Sequence, residues 1–115
     1  MHELSLVDAL LDQVQREVKR AGEGGRVKRV ELAIGRLSGV HCDSIRFAFG
    51  LLATGTVVEG AELAITEPAA ACFCRACNAR VEIDEFTAFC PQCQSGEIVI
   101  EGGRDLILRS IEVED

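Results

Sequence analysis

Two pairs of cysteines constrain this chain more than any other feature. They read "CRAC" at 74–77 and "CPQC" at 90–93, a C-x2-C, twelve residues, then a second C-x2-C. Each pair lets two thiolates converge from one tight turn, and two such turns brought together complete a tetrahedron. A hairpin through Val81, Ile83, Phe86 and Phe89 would bring them together. A thiolate-only set favours zinc or iron. Four protein ligands leave no open position, so the set predicts a structural metal. A C-P-x-C knuckle also serves rubredoxin-like iron sites, but nothing else here suggests an electron-transfer partner. Cys72 makes the first half "CFCRAC". It reads as a bystander thiol, the alternative being competition with Cys74 for the metal. Cys42 reads as a small apolar residue near a helix start.

Six cysteines point to metal or redox chemistry rather than disulfides if the chain stays in the cytosol. The first residues carry Glu3 and Asp8 where a signal peptide has its basic region, and no apolar run reaches bilayer length. A cytoplasmic protein with no membrane span is expected. With 115 residues the chain can build one modest core. It has five Phe and neither Trp nor Tyr, so that core must come from Leu, Ile, Val and Ala. The net charge of −7 argues against a nucleic-acid surface, which needs clustered Lys and Arg.

Residues 4–21 have helical periodicity, with Val7, Leu10, Leu11, Val14 and Val18 on one face. Ser5 and Asp8 suggest a capping box, and Gly22 a C-cap. Residues 27–37 read as a strand with Val30, Leu32 and Ile34 alternating. Residues 44–54 read as a second helix, capped by Asp43 or Ser44, with Ile45, Phe49 and Leu52 inward. Residues 61–67 read as a strand ended by Pro68 and the run Ala69 to Ala71, and residues 106–114 as the last strand. The fold predicted is α+β: a three-stranded sheet with two helices on one face plus an inserted small zinc-ribbon-like module. Residues 1–69 and 103–115 would form the main domain and 70–102 the metal module.

The chain opens Met1-His2-Glu3. His2 is too large for methionine removal, so the Met1 amine should persist. Amine, deprotonated amide and imidazole can close two adjacent chelate rings, and the amide of Glu3 could supply a fourth nitrogen. Nitrogen donors in a square plane suit nickel(II) or copper(II). Taken alone, the same residues also fit an ordinary mobile end.

Several stretches occur together and in order: "MHELSLVDALL", "RVELAIGRLSGV", "EGAELAITE", the paired cysteines and "DLILRSIEVE". Over essentially its whole length the chain resembles the HypA/HybF family of hydrogenase maturation factors. The resemblance implies a nickel metallochaperone that partners a HypB-type GTPase and helps insert nickel into the large subunit of NiFe hydrogenase. It implies that His2 binds nickel, with the Met1 amine and the Glu3 backbone nitrogen, and that Cys74, Cys77, Cys90 and Cys93 hold zinc. Glu3 is also a candidate for partner contact. After "GRLSGV" many relatives carry an acidic residue, where this chain has His41. His41 is either an added nickel ligand or a solvated loop histidine. A nucleic-acid-binding ribbon is opposed by the charge. An enzyme is opposed by the closed four-cysteine set and the lack of a Cys–His pair at motif spacing. A monomer or a weak homodimer both fit.

Overall fold

Apolar residues three and four apart make the first helix, and the computed structural model shows which face they bury. It describes residues 2–22 and 25–114, with the backbone alone of His2. Helix α1 (His2–Arg20) buries Val7, Leu10, Leu11, Val14 and Val18. Its solvent face carries Arg16 with Asp12 at 3.6 Å and Arg20 with Glu17 at 2.8 Å. Such exposed pairs add a few tenths of a kcal/mol each. The helix starts earlier than the capping box requires. Ser5 and Asp8 lie inside it and are exposed, so they cap nothing. The half-buried Leu4 and Leu6 extend the apolar face toward the terminus, and Glu3 suits the first turn. Gly22, at φ +76°, follows the last turn, where its N–H donates to the Lys19 carbonyl at 3.1 Å.

Strand β1 (Val27–Ile34) buries Val30, Leu32 and Ile34 on one side and turns Arg29 and Glu31 to the other. It is shorter than the 27–37 expected, because Gly35 leaves the strand and Arg36 and Leu37 form a turn. Helix α2 (Cys42–Leu52) begins two residues before the expected start at 44. Its N-cap residue is His41, not Asp43 or Ser44. It buries Ile45, Ala48 and Phe49, with Leu52 half-buried.

Strands β2 (Glu62–Thr66) and β6 (Leu106–Val113) flank β1 in the order β2-β1-β6. Val27 N–H donates to Val57 O, and Arg36 N–H to Pro68 O, so β1 and β2 run parallel. Parallel neighbours need a long crossover, which α2 supplies. Glu114 N–H donates to Arg26 O, and Gly35 N–H to Asp105 O, so β6 is antiparallel to β1. Three stretches form the first compact unit: residues up to 32, 40–65 and from 108 on. Within it α1 packs on α2.

The second unit comprises residues 33–39 and 66–107. It is built on a second sheet of three antiparallel strands, in the order β4-β3-β5. These are β3 (Ala70–Cys74), β4 (Arg80–Ile83) and β5 (Ile98–Glu101). Strand β2 stops at Thr66, ahead of Pro68 and Ala69 as the sequence suggests, but Ala70 and Ala71 begin a new strand and are buried. Val81 and Ile83 lie on β4 as the hairpin needs, but Phe86 and Phe89 fall outside it and are exposed.

The "GRLSG" turn belongs to this second unit. Leu37 N–H donates to Gly103 O at 2.7 Å, and the Arg36 side chain to Glu67 O at 2.8 Å and to Asp84 at 2.5 Å. The Asp84 carboxylate raises the Arg36 pKa above its already high ordinary value. Two glycines permit the crossing. A Cβ on Gly35 would run into the Gly103 carbonyl. Gly103 itself sits at φ +70° against Ala70.

These contacts predict opposite outcomes for two glycine substitutions. Gly35→Ala lowers stability by about 1–3 kcal/mol, since backbone must shift to admit the methyl. Gly50→Ala, in open space within α2, raises it by about 0.4–1 kcal/mol. Urea unfolding of the metal-replete protein checks both.

Candidate metal sites

Each C-x2-C pair is a turn held by its own backbone hydrogen bonds. The first starts at Cys74, the last residue of β3. Cys74 N–H donates to Ala79 O, and Arg75 N–H to Glu97 O, both at 2.9 Å. In the second, Cys90 N–H donates to Ser95 O at 2.8 Å and Gln94 N–H to Cys90 O at 2.9 Å. Pro91 sits where a turn wants a fixed φ and no N–H. The residue after each closing cysteine, Asn78 at φ 58° and Gln94 at φ 66°, is left-handed. That shared backbone reversal is the equivalence between the two turns, and it leaves no plain mark in the sequence.

The four sulfurs converge. All lie within 4.8 Å of one another, with Cys74 and Cys93 at 3.5 Å and Cys77 and Cys90 at 3.8 Å. A tetrahedron with zinc–sulfur bonds of about 2.3 Å has edges of about 3.8 Å, so the cage fits that ion. Cys74 and Cys90 are buried and Cys77 and Cys93 exposed.

The electrostatics fit a cation as well. Backbone N–H groups of Cys93 and Gln92 point at the Cys90 sulfur, at 3.5 and 3.4 Å, and hold its thiol down at about 7. Cys93 moves the other way. The Ser95 backbone pulls it down, but its contact with Cys74, burial and the Cys77 and Cys90 sulfurs outweigh this and push it up to about 12. The hydrogen bonds of the cluster thus favour a thiolate at Cys90 over its neighbours. A bound divalent cation would allow all four to ionise.

Cys72 lies two residues before Cys74 on β3, yet it packs into an apolar cluster with Ala70 and Ile83, flanked by Leu37, Ile98 and Ile100. Burial, followed by the nearby Cys90, Cys74 and Cys77 sulfurs, pushes its thiol up. It is a core residue and stands outside the four-sulfur group. Cys42 is the first residue of α2 and half-buried.

The amino-terminal candidates are only partly described. Met1 and the His2 side chain lie outside the described residues. The α1 backbone begins at His2, and Glu3 follows in its first turn. Glu3 and Leu4 line a cleft of about 310 Å³, whose other wall is α2 with Asp43, Ser44, Phe47, Ala48 and Leu51. His41 is exposed, and its Nδ1 lies 3.0 Å from the Ser44 hydroxyl. The N-terminal ends of the two helices thus meet across this cleft. Among the described residues, the four cysteines are the one group of three or more His, Cys, Asp or Glu close enough to share an ion. The sequence did not reveal the cleft, because it depends on how α2 returns to α1.

Comparison with known proteins gives a consistent family. Residues 1–113 match the family described as "Hydrogenase/urease nickel incorporation, metallochaperone, hypA". A hydrogenase maturation factor HypA of Chlorobium limicola is 44% identical over 100% of this chain and 98% of its own. One from Methanocaldococcus jannaschii is 32% identical over 99% of this chain and 98% of its own. The solution structure of the Ni metallochaperone HypA from Helicobacter pylori shares the fold, with a TM-score of 0.66 at 23% identity over 96% of both chains.

Cobalt(II) substitution discriminates the thiols. Cys90→Ser is expected to weaken the thiolate charge-transfer bands and the metal retention, because it removes one corner of the cage and leaves three sulfurs. Cys72→Ala is expected to keep both.

Proposed function

Because the chain belongs to the family of hydrogenase and urease nickel-incorporation metallochaperones, we propose that it binds nickel(II) at its own amino terminus and hands it on during NiFe-hydrogenase maturation. The family match over residues 1–113 carries this reading. The nickel donors are the Met1 amine, the His2 backbone and imidazole nitrogens and the Glu3 backbone nitrogen. The start of α1 supports the set. A helix leaves its first N–H groups without acceptors. Here those are the amides of the helix beginning at His2. Turning them into metal donors therefore breaks no helical hydrogen bond.

His41 is a candidate additional donor. Its partner Ser44 and its neighbour Asp43 line the same cleft as Glu3. The second metal is assigned as zinc, held by Cys74, Cys77, Cys90 and Cys93. Its chemistry there is closure of a fold element, since four thiolates leave no position for a substrate. The chain's own backbone does the rest: the N–H donors of Gln92 and Cys93 keep Cys90 ready to bind.

The protein acts by binding and release, not by turnover. Its receivers are a HypB-type GTPase and the hydrogenase large subunit, in the cytoplasm. No helix among the described residues is long and apolar enough to cross a membrane.

Isothermal titration of untagged protein tests the assignment. His2→Ala, or residues fused ahead of Met1, should weaken nickel binding by about 100-fold or more, since loss of a direct ligand exceeds the 10–100-fold typical of outer partners. His41→Ala should have a smaller effect than His2→Ala. Unchanged affinity in both terminal variants would contradict the site. Affinity should also fall as pH drops through about 6.5, where a free imidazole takes up its proton and ceases to be a donor.

A further inference from the structure

Helix α2 is apolar on two sides. Ile45, Ala48 and Phe49 face the core, but Phe47 and Leu51, one turn apart, are 70% and 57% exposed. Of the two Phe in the first unit, Phe49 is buried and Phe47 exposed. Phe47 and Leu51 are not scattered. Together with Ala48 and Leu4 they form the apolar part of the cleft beside the start of α1. Among the described residues its polar ones are Glu3, Asp43 and Ser44, two carboxylates and a hydroxyl.

From this we infer that the cleft is a docking groove for an amphipathic helix of a partner protein, one that carries two apolar side chains a turn apart and lysine or arginine beside them. Helices bind grooves through apolar anchors at such spacing. The volume of about 310 Å³ suits one or two large side chains. The acidic rim, on a chain of net charge −7, selects a basic segment and repels an acidic one. So small an apolar contact gives a short-lived complex, which suits a protein that must let go. The inference rests on the nickel reading for its purpose only: Glu3 belongs to the same terminus, so a helix seated here brings its protein to the cargo.

The test is an NMR titration of the ¹⁵N-labelled full chain with two synthetic amphipathic peptides. Both carry leucines one turn apart; one is flanked by lysines, its twin by glutamates. The lysine peptide should shift resonances of Glu3, Leu4 and residues 43–51 and bind about tenfold more tightly than the twin at low salt. Phe47→Ser with Leu51→Ser should reduce that binding about tenfold or more while leaving the fold, cobalt spectrum and nickel titration unchanged. Asp43→Asn should narrow the lysine–glutamate preference. Equal affinity for both peptides, shifts elsewhere on the molecule, or full binding by the double variant would overturn the proposal. So would self-association that the double variant abolishes, since the occupant would then be a second copy. Nickel is titrated separately, so loss of nickel binding with peptide binding intact would fault the nickel reading and not the groove.

Discussion

Four thiolates held within 4.8 Å of one another repel, and a bound divalent cation offsets that repulsion. The central strand of the second sheet, β3, ends in this cluster at Cys74. The second unit's buried apolar cluster is small, with Ala70, Cys72 and Ile83 supported by Leu37, Ile98 and Ile100. A core of this size rarely holds a sheet alone, and metal cross-links commonly make up the difference. The backbone anticipates the ion. Both turns are closed by their own hydrogen bonds, and two N–H groups already favour a thiolate at Cys90.

The first unit rests on a different interaction. Its core is hydrocarbon, from Val7, Leu10, Leu11 and Val14 on α1 and from Val30 and Leu32 on β1. A hydrocarbon core of this kind suits the proposed role, because a transferable ion must be able to leave without loosening the structure that carries it. A terminus placed at the start of a stable helix meets that need. Under the proposed function, one metal serves as structure and the other as cargo.

Much of this was legible in the residues. The spacing of Val7 to Val18 predicted both the helix and its buried face, since helical periodicity is a local signal. The cysteine spacing predicted the cage because the turns are local too. Helix starts were less accessible. Ser5 and Asp8 look like a cap, but the apolar face continues through Leu4 and Leu6 to the terminus. Asp43 and Ser44 are good capping types, yet α2 starts at Cys42 behind His41. Strand β3 was hidden because its alanines resemble a terminator. Gly103, lacking a Cβ, packs closely against Ala70 there. The role of "GRLSG" could not be read locally, since its partners are Glu67, Asp84 and Gly103.

X-ray absorption at the zinc and nickel edges of the untagged protein tests this division of labour most directly. Zinc should show four sulfur neighbours at about 2.3 Å. Nickel, added to the zinc-loaded protein, should show nitrogen or oxygen neighbours and no sulfur. Sulfur at the nickel edge would place the cargo in the cysteine cage and contradict the account.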